Sequence, residues 1–188
     1  YRYNPDDVMT ARIGLFETDF PDAESRQIFF RELREGIRNR PEVASVTLTD
    51  ALPGLGSGGS SFGLLGEAYA TEQDYPDARM ALISPDFFET FETSPVRGRT
   101  FSLADDPDGE PVTIVNQSFA DRYFPGREAI GEQIRLGTAE DDLPWRTIVG
   151  VAPYHYTATV EISDLAPHGA LAILAHTDAR FVTIAVRG

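Results

Sequence analysis

A serine lies at the centre of the most suggestive catalytic pattern in the chain. Gly59-Ser60-Ser61-Phe62-Gly63 matches G-x-S-x-G, in which a sharp strand-to-helix turn presents a nucleophilic serine. Such a serine also needs a histidine base and an acid that orients the base. The chain contains histidines and acids, but no helical run follows Ser61. A hydrolase that uses Ser61 is therefore the weakest of three functional hypotheses.

The glycine- and serine-rich segment at residues 51–61 also contains a nucleotide-binding pattern. Gly54, Gly56 and Gly59 fit G-x-G-x-x-G after a strand-like run. A dinucleotide site requires a helix directly after the loop, because the helix N-terminus binds the pyrophosphate. No such helix is predicted, so we interpret both patterns as one mobile loop that joins two strands.

The sequence supports a metal site no better than it supports a nucleophilic serine or a nucleotide site. Asp106, Asp108 and Gly109 resemble part of an EF-hand loop, but its first and last positions would be Ala104 and Val115, which carry no carboxylate. The three histidines show no metal-binding spacing, and the chain has no cysteine. We therefore expect no catalytic residue, no cofactor and no metal site.

Charge and composition exclude further classes of function. The net charge is −14, and all sixteen basic residues are arginine. Nucleic acids and anionic lipids bind positively charged surfaces, so neither is expected as a partner. No apolar run is long enough for a membrane helix. The chain begins at Tyr1 rather than at a methionine, and we expect it to be part of a longer protein.

Hydrophobic periodicity predicts strands and short helices in a mixed order, which is typical of the α+β class. Residues 8–16 and 43–50 alternate as strands on either side of a helix at 24–39, with Asp22 as its N-cap. This is a β-α-β unit. Residues 112–137 combine a strand, a short helix, a Pro125-Gly126 break and a second strand. Further predicted elements are strands at 62–65, 80–84, 145–151, 169–174 and 181–187, and a helix at 85–91 with Ser84 as N-cap.

Six runs, taken in order, resemble the periplasmic core domain of MacB-type ABC transporter permeases. They are Ile83–Phe91, Val96–Phe101, Val112–Asn116, Phe119–Gly126, Ile130–Gly137 and Ile148–Val151. Several ordered motifs are more specific than any single one. They fit a scaffold rather than an active site, because Gly98 and Gly126 stand where turns favour a positive φ and Pro125 ends a helix.

The resemblance implies an α+β fold with two parts. A porter-like β-α-β subdomain would contain an inserted, smaller, β-rich subdomain of the Sabre type. Residues 1–78 would form the first part of the porter-like subdomain, 79–152 the insert and 153–188 the return part. Family members usually carry a further helix and strand after the last strand.

The resemblance also implies a function. The chain would be a non-catalytic extracytoplasmic domain, at the periplasmic face of the cytoplasmic membrane. It would transmit ATP-driven conformational change to substrates or partner proteins outside the membrane, in efflux or mechanotransmission. Its partners would be the membrane helices of its own permease, a cytoplasmic ATPase indirectly, and a periplasmic adaptor or lipoprotein.

Apolar residues around the glycine-rich segment are the predicted partner contacts. They are Leu52, Leu55, Phe62, Leu64 and Leu65. The second functional hypothesis is a free-standing extracytoplasmic ligand-binding or sensory module, in which the loop from Gly54 to Gly63 covers a pocket.

Overall fold

The computed structural model describes residues 7–52, 58–102, 104–105, 109–153, 169–173 and 179–188, with the backbone alone for 169–173. The strands are β1 (Val8–Gly14), β2 (Ser45–Thr49), β3 (Gly58–Leu64), β4 (Asp77–Ile83), β5 (Arg97–Gly98), β6 (Val112–Asn116), β7 (Gln133–Leu136), β8 (Trp145–Ala152), β9 (Gly169–Ile173) and β10 (Phe181–Arg187). The α-helices are α1 (Ala23–Arg38), α2 (Phe87–Thr90) and α3 (Gln117–Tyr123). The α+β class is confirmed.

β1, β10 and β2 form one part of the sheet, the three-stranded part. β10 lies between the other two strands and is antiparallel to both, with Ile13 opposite Val182 and Thr47 opposite Ala185. The predicted β-α-β unit is therefore present, but its two strands are not neighbours. The last strand of the chain separates them, and no local pattern could indicate that arrangement.

α1 packs on one face of the three-stranded part. The Asp22 carboxylate accepts a hydrogen bond from the Ser25 amide at 2.7 Å, which confirms the predicted N-cap. The apolar stripe of α1 buries Phe30 against Val46 and Leu48 of β2. The 3.6-residue period thus predicted the helix.

α2 packs on the opposite face, so β2 is buried on both sides. This helix is shorter than predicted, and Ser84 is not its N-cap. The Ser84 hydroxyl instead accepts a hydrogen bond from the Leu48 amide at 3.0 Å and lies 2.9 Å from the Thr47 hydroxyl. The reason is positional, because Ser84 immediately follows β4 and lies against β2, where buried polar groups need partners.

Six other strands pair in a closed cycle, which we call the closed sheet. The order is β3, β4, β9, β6, β8, β7 and back to β3. Its interior contains Phe62, Val115, Ile134 and Ile148, all of them fully buried. The prediction of a loop through residue 61 was wrong, because residues 58–61 are strand and pair with β4.

The stretch from 112 to 137 forms β6, α3 and β7, as predicted. α3 carries Phe119 and Tyr123, whose rings lie 4.8 Å and 5.0 Å from the Phe62 ring. Gly98 and Gly126 have φ values of +74° and +75°, which confirms their expected conformation. This stretch therefore provides a large share of the aromatic packing in the closed sheet.

The two parts share a third cluster of buried residues. Ala185 of β10, Phe87 of α2, Ile83 of β4 and Ile114 of β6 belong to it. The predicted subdomain boundary after residue 78 falls inside β4, and the boundary after residue 152 falls at the end of β8. Both boundaries stay predictions. Among the described residues, no helix has the length and apolar character needed to cross a membrane.

Candidate partner-binding surface

The predicted contact residues differ widely in their exposure. Leu65 is 55% exposed. Leu52 and Leu64 are half-buried and pack against core clusters. Phe62 is fully buried between strands of the closed sheet, and Leu55 lies outside the described residues. Leu65 is thus the member of the predicted set whose side chain is open to a partner.

Ser61 does not lie in a nucleophile elbow. β3 continues through Gly63 as a paired strand, so no strand-to-helix turn presents the serine. Its hydroxyl donates a hydrogen bond to the Asp77 carboxylate at 2.9 Å. The three histidines, the glycines at 54 and 56, and the aspartates at 106 and 108 lie outside the described residues.

The outward side of β3, β7 and β8, which we call the outer face, carries an unusual row of side chains. The register places Gly63 opposite Arg135 and Arg135 opposite Trp145. Because neighbours along a strand point to opposite sides, these residues face away from the interior that contains Phe62 and Ile134. The Arg135 guanidinium lies 5.0 Å from the Trp145 ring centre, within cation–π range.

Two tyrosines extend this row. Tyr69 and Tyr75 stack with ring centres 4.2 Å apart. The Tyr75 ring lies against Gly63, where an added Cβ would be 3.3 Å from it. The Tyr69 hydroxyl accepts a hydrogen bond from the Leu64 amide at 3.2 Å. Strand register, stacking and this hydrogen bond therefore fix the positions of all the rings.

Two short turns, which we call the acidic turns, border the row. Each is a 3-10 turn with a capping box, formed by Thr71 with Asp74 and by Thr138 with Asp141. The hydrogen bond from the Thr138 amide lowers the pKa of the Asp141 carboxyl. The charge of Glu140, followed by its side-chain hydrogen bond, raises the pKa of the exposed Glu72. The turns therefore hold these two glutamates close together.

An open cleft of about 560 Å³ lies beside α3. Its charged groups pair with each other or with neighbours: Arg97 lies 3.6 Å from Glu128, and Arg127 lies 3.3 Å from Glu132. The Arg127 guanidinium also covers the Phe124 ring at 4.9 Å. The cleft therefore presents satisfied charges and gives little support to a ligand-binding role.

The closed sheet also buries a charge that the sequence analysis did not single out. Arg146 lies opposite Ile134 and is 6% exposed. Its Nη1 atom has no hydrogen-bond partner among the described residues. Burial lowers the pKa of the Arg146 guanidinium. The alternation of residues 145–151 was the signal that could have identified it, because Arg146 falls on the same side of the strand as Ile148.

The outer face was also missed, except for Leu65. Its residues come from three separate places in the sequence, 63–75, 135 and 145, and only strand pairing brings these together. Trp145 is half-buried and lies on the outer face. The composition could have been a signal, because tryptophan, tyrosine and arginine are the residues enriched at binding hot spots.

A comparison with models of protein families identifies the family of this chain. The model of the MacB-like periplasmic core domain matches residues 5–187, almost the whole chain. The chain belongs to this family. The MacB-like domain is thus the extracytoplasmic domain of an ABC transporter permease, and its family is one of non-catalytic transporter domains.

Two solved structures share its fold. The periplasmic region of MacB from Actinobacillus actinomycetemcomitans aligns with a TM-score of 0.62 and 13% identity, over 97% of this chain and 74% of that one. The extracellular domain of YknZ, a noncanonic ABC-type transporter from Gram-positive bacteria, aligns with a TM-score of 0.58 and 13% identity. That alignment covers 96% of this chain and 82% of the other. A comparison with curated protein sequences finds no match.

Membership in the family also bears on partners. A permease of this kind implies membrane helices and an ATPase that works with them. This agrees with the prediction of an extracytoplasmic transporter domain.

Proposed function

We propose that this MacB-like domain transmits ATP-driven movement of its permease to substrates or partner proteins outside the membrane, in efflux or mechanotransmission. The observation that carries the proposal is the shared core between the two parts of the sheet. A domain that transmits movement must displace as a unit, and packed interiors have low compressibility.

The shared core supports such a unit through α2. Phe87 is 1% exposed and belongs to one cluster with Ile83 of the closed sheet and Ala185 of the three-stranded part. Its ring lies 4.9 Å from the Phe91 ring. Movement of either part therefore pushes directly on well-packed aromatic side chains.

Polar contacts add specific links around α2. The Ser45 hydroxyl donates to the Thr90 hydroxyl at 2.8 Å, and Arg187 Nε donates to the Thr90 carbonyl at 2.7 Å. Arg34 of α1 lies 3.4 Å from Asp86, the residue before α2. Because these groups are largely buried, the bonds are shielded from water and direct the packing.

The proposal includes the predicted setting. The domain would lie at the periplasmic face of the cytoplasmic membrane, joined to the membrane helices of its own permease and indirectly to the ATPase. A periplasmic adaptor or lipoprotein would be the outside partner. Within this proposal the domain keeps the predicted porter-like and inserted subdomains, with boundaries near residues 78 and 152.

The test uses the full-length permease in lipid nanodiscs. Glu24 and Glu140 lie in different parts of the domain, and each is exposed. Spin labels attached to cysteines at these two positions report distances inside the domain. A third label in a membrane helix reports the distance between domain and membrane. No other position within the domain reacts with the label, because its chain has no native cysteine.

The expected result is a change in the domain-to-helix distance when ATP and vanadate trap the ATPase. The distance between positions 24 and 140 should stay the same. An unchanged domain-to-helix distance would refute transmission by this domain. A large change between positions 24 and 140 would instead refute movement as one unit.

A further inference from the structure

The acidic turns give the outer face a strong local charge. Residues 65–77 contain four acidic residues and no basic one, and residues 138–144 contain three acidic residues and no basic one. Among the described residues, no basic side chain forms an ion pair with Glu72 or Glu140. The Glu72 and Glu140 carboxylates repel each other, which raises the pKa of Glu72. A cation that binds between them would reduce this repulsion.

None of the three helices in the described ranges covers the face beside these turns. α1 packs on β2, α2 packs on β2 and β10, and α3 packs chiefly against β6 and the interior of the closed sheet. Trp145, Tyr75 and Arg135 are half-buried, and Leu65 is exposed at the end of β3. The face thus offers rigid rings and an apolar edge.

We infer that the outer face and its acidic turns dock a basic segment of a partner protein. An arginine or lysine of that segment lies between Glu72 and Glu140, and its apolar side chains contact Trp145 and Leu65. Charge complementarity determines this choice of partner. The inference rests on the proposed role of the domain as the contact of its permease with proteins outside the membrane.

Two other occupants fit the face less well. A second copy of this chain would bring its own acidic turns against these, and opposed like charges disfavour binding. A metal ion would need more ligands, and no group of three or more metal-binding side chains occurs among the described residues. Both remain possible outcomes of the test.

Trp145 is the single tryptophan of the chain, so its fluorescence reports directly on this face. The probe is a short, capped peptide of alternating arginine and leucine, titrated into the 188-residue chain at low salt. A matched peptide of alternating glutamate and leucine is the first control. We expect the basic peptide to change the Trp145 emission and the acidic peptide to leave it unchanged.

Two double variants separate docking from general attraction to an acidic protein. E72Q/E140Q removes both charges beside the row, and E24Q/E35Q removes the same number from exposed positions of α1. We expect the first variant to raise the Kd for the basic peptide about tenfold and the second to change it less than about twofold. Circular dichroism checks that both variants are folded.

Each other outcome overturns the inference. Equal Kd values for the two variants would mean that attraction is general. An emission change caused by Ca²⁺ alone, and lost in E72Q/E140Q, would assign the pair to a metal ion. Self-association detected by sedimentation and lost in the same variant would assign the face to a second copy. Since the titration involves neither ATP nor a membrane, its failure is distinct from a failure of the proposed transmission.

Discussion

The two parts of the sheet differ in how each buries an arginine. In the three-stranded part, Thr47 and Arg187 are buried and have hydrogen-bond partners in or beside α2. In the closed sheet, Arg146 is buried in an apolar interior, and its Nη1 has no hydrogen-bond partner in the part of the chain that the structure describes. One part thus uses buried polar groups as links, and the other contains one charge at a cost.

This difference follows from the strand pairing that holds each part in place. The closed sheet has no free edge along its cycle, so backbone pairing and apolar packing hold it together. The three-stranded part is joined to it through one paired position, Thr49 with Ile83, and through α2. Specific hydrogen bonds are therefore needed where pairing is short. Four predictions test this contrast, from the largest effect to the smallest.

Gly150→Ala should cause the largest loss of stability. An added Cβ would overlap the carbonyl oxygen of Arg99, the residue after β5, which pairs with β8. Because backbone cannot move aside cheaply, we expect the free energy of unfolding to fall by about 4 kcal/mol or more. Gly36→Ala in α1 is the control, since nothing lies within 4 Å of its added Cβ. It should raise stability by about 0.5–1 kcal/mol in urea unfolding, and equal effects would contradict the prediction.

Phe62→Ala should follow, because Phe62 lies in the interior that closes the sheet. It is 0% exposed and contacts the rings of Phe119 and Tyr123. Removing it should cost about 3–5 kcal/mol through lost packing and a cavity. Leu65→Ala, nearby on the exposed side, should change stability by less than about 0.5 kcal/mol. Thermal and urea unfolding measure both, and a comparable loss for Leu65→Ala would show that its exposure is misassigned.

The two buried arginines should respond with opposite signs when each is replaced by methionine. Arg187→Met leaves the Thr90 carbonyl unpaired and should cost about 2 kcal/mol. Arg146→Met removes a buried charge whose Nη1 lacks a hydrogen-bond partner within the described ranges, and it should stabilise the fold by about 1–2 kcal/mol. Urea unfolding of both variants at neutral pH gives the comparison. A loss of stability for Arg146→Met would mean that this charge has a compensating partner.

The smallest expected effect is the pH-dependent stabilisation by the ion pair between Arg99 and Asp105. The Arg99 guanidinium donates two hydrogen bonds to Asp105, at 2.7 Å and 2.8 Å, and holds the pKa of that carboxyl below its usual range. Because the folded pKa is depressed, the stabilisation is present above the unfolded pKa of about 3.9 and is lost as pH falls through the folded value.

Asp105→Asn should therefore cost about 0.5–1 kcal/mol at pH 7, after allowance for solvent screening of the exposed Arg99. The difference from the wild type should shrink as pH falls below about 4. Unfolding curves recorded between neutral and acidic pH test this. A difference that grows towards acidic pH would have the wrong sign.

Local patterns predicted much of the secondary structure. The N-cap Asp22, the apolar period of α1 and the order of β6, α3 and β7 depend on interactions between residues close in sequence. Positive φ at Gly126 likewise follows from a short turn. The prediction failed at Ser84 because the hydroxyl found a partner on a distant strand.

The candidate site was much less predictable. Of the predicted contacts, Leu65 lies on the outer face and Phe62 lies inside the closed sheet. The two residues differ because alternate positions of a strand face opposite sides of the sheet. Assigning them to a side requires the knowledge that residues 58–61 are also strand. Trp145, Arg135 and Tyr75 meet only because β3, β7 and β8 pair in one register.

The sequence alone determined the elements, the acidic charge and the family, because periodicity, turn residues and ordered motifs are local properties of the chain. Tertiary structure decided that β10 separates β1 from β2, that β9 joins β4 to β6, and that an aromatic row faces outward beside the acidic turns. The physical reason is that strand partners are chosen by hydrogen bonding and packing between distant segments. No short stretch of sequence carries that information.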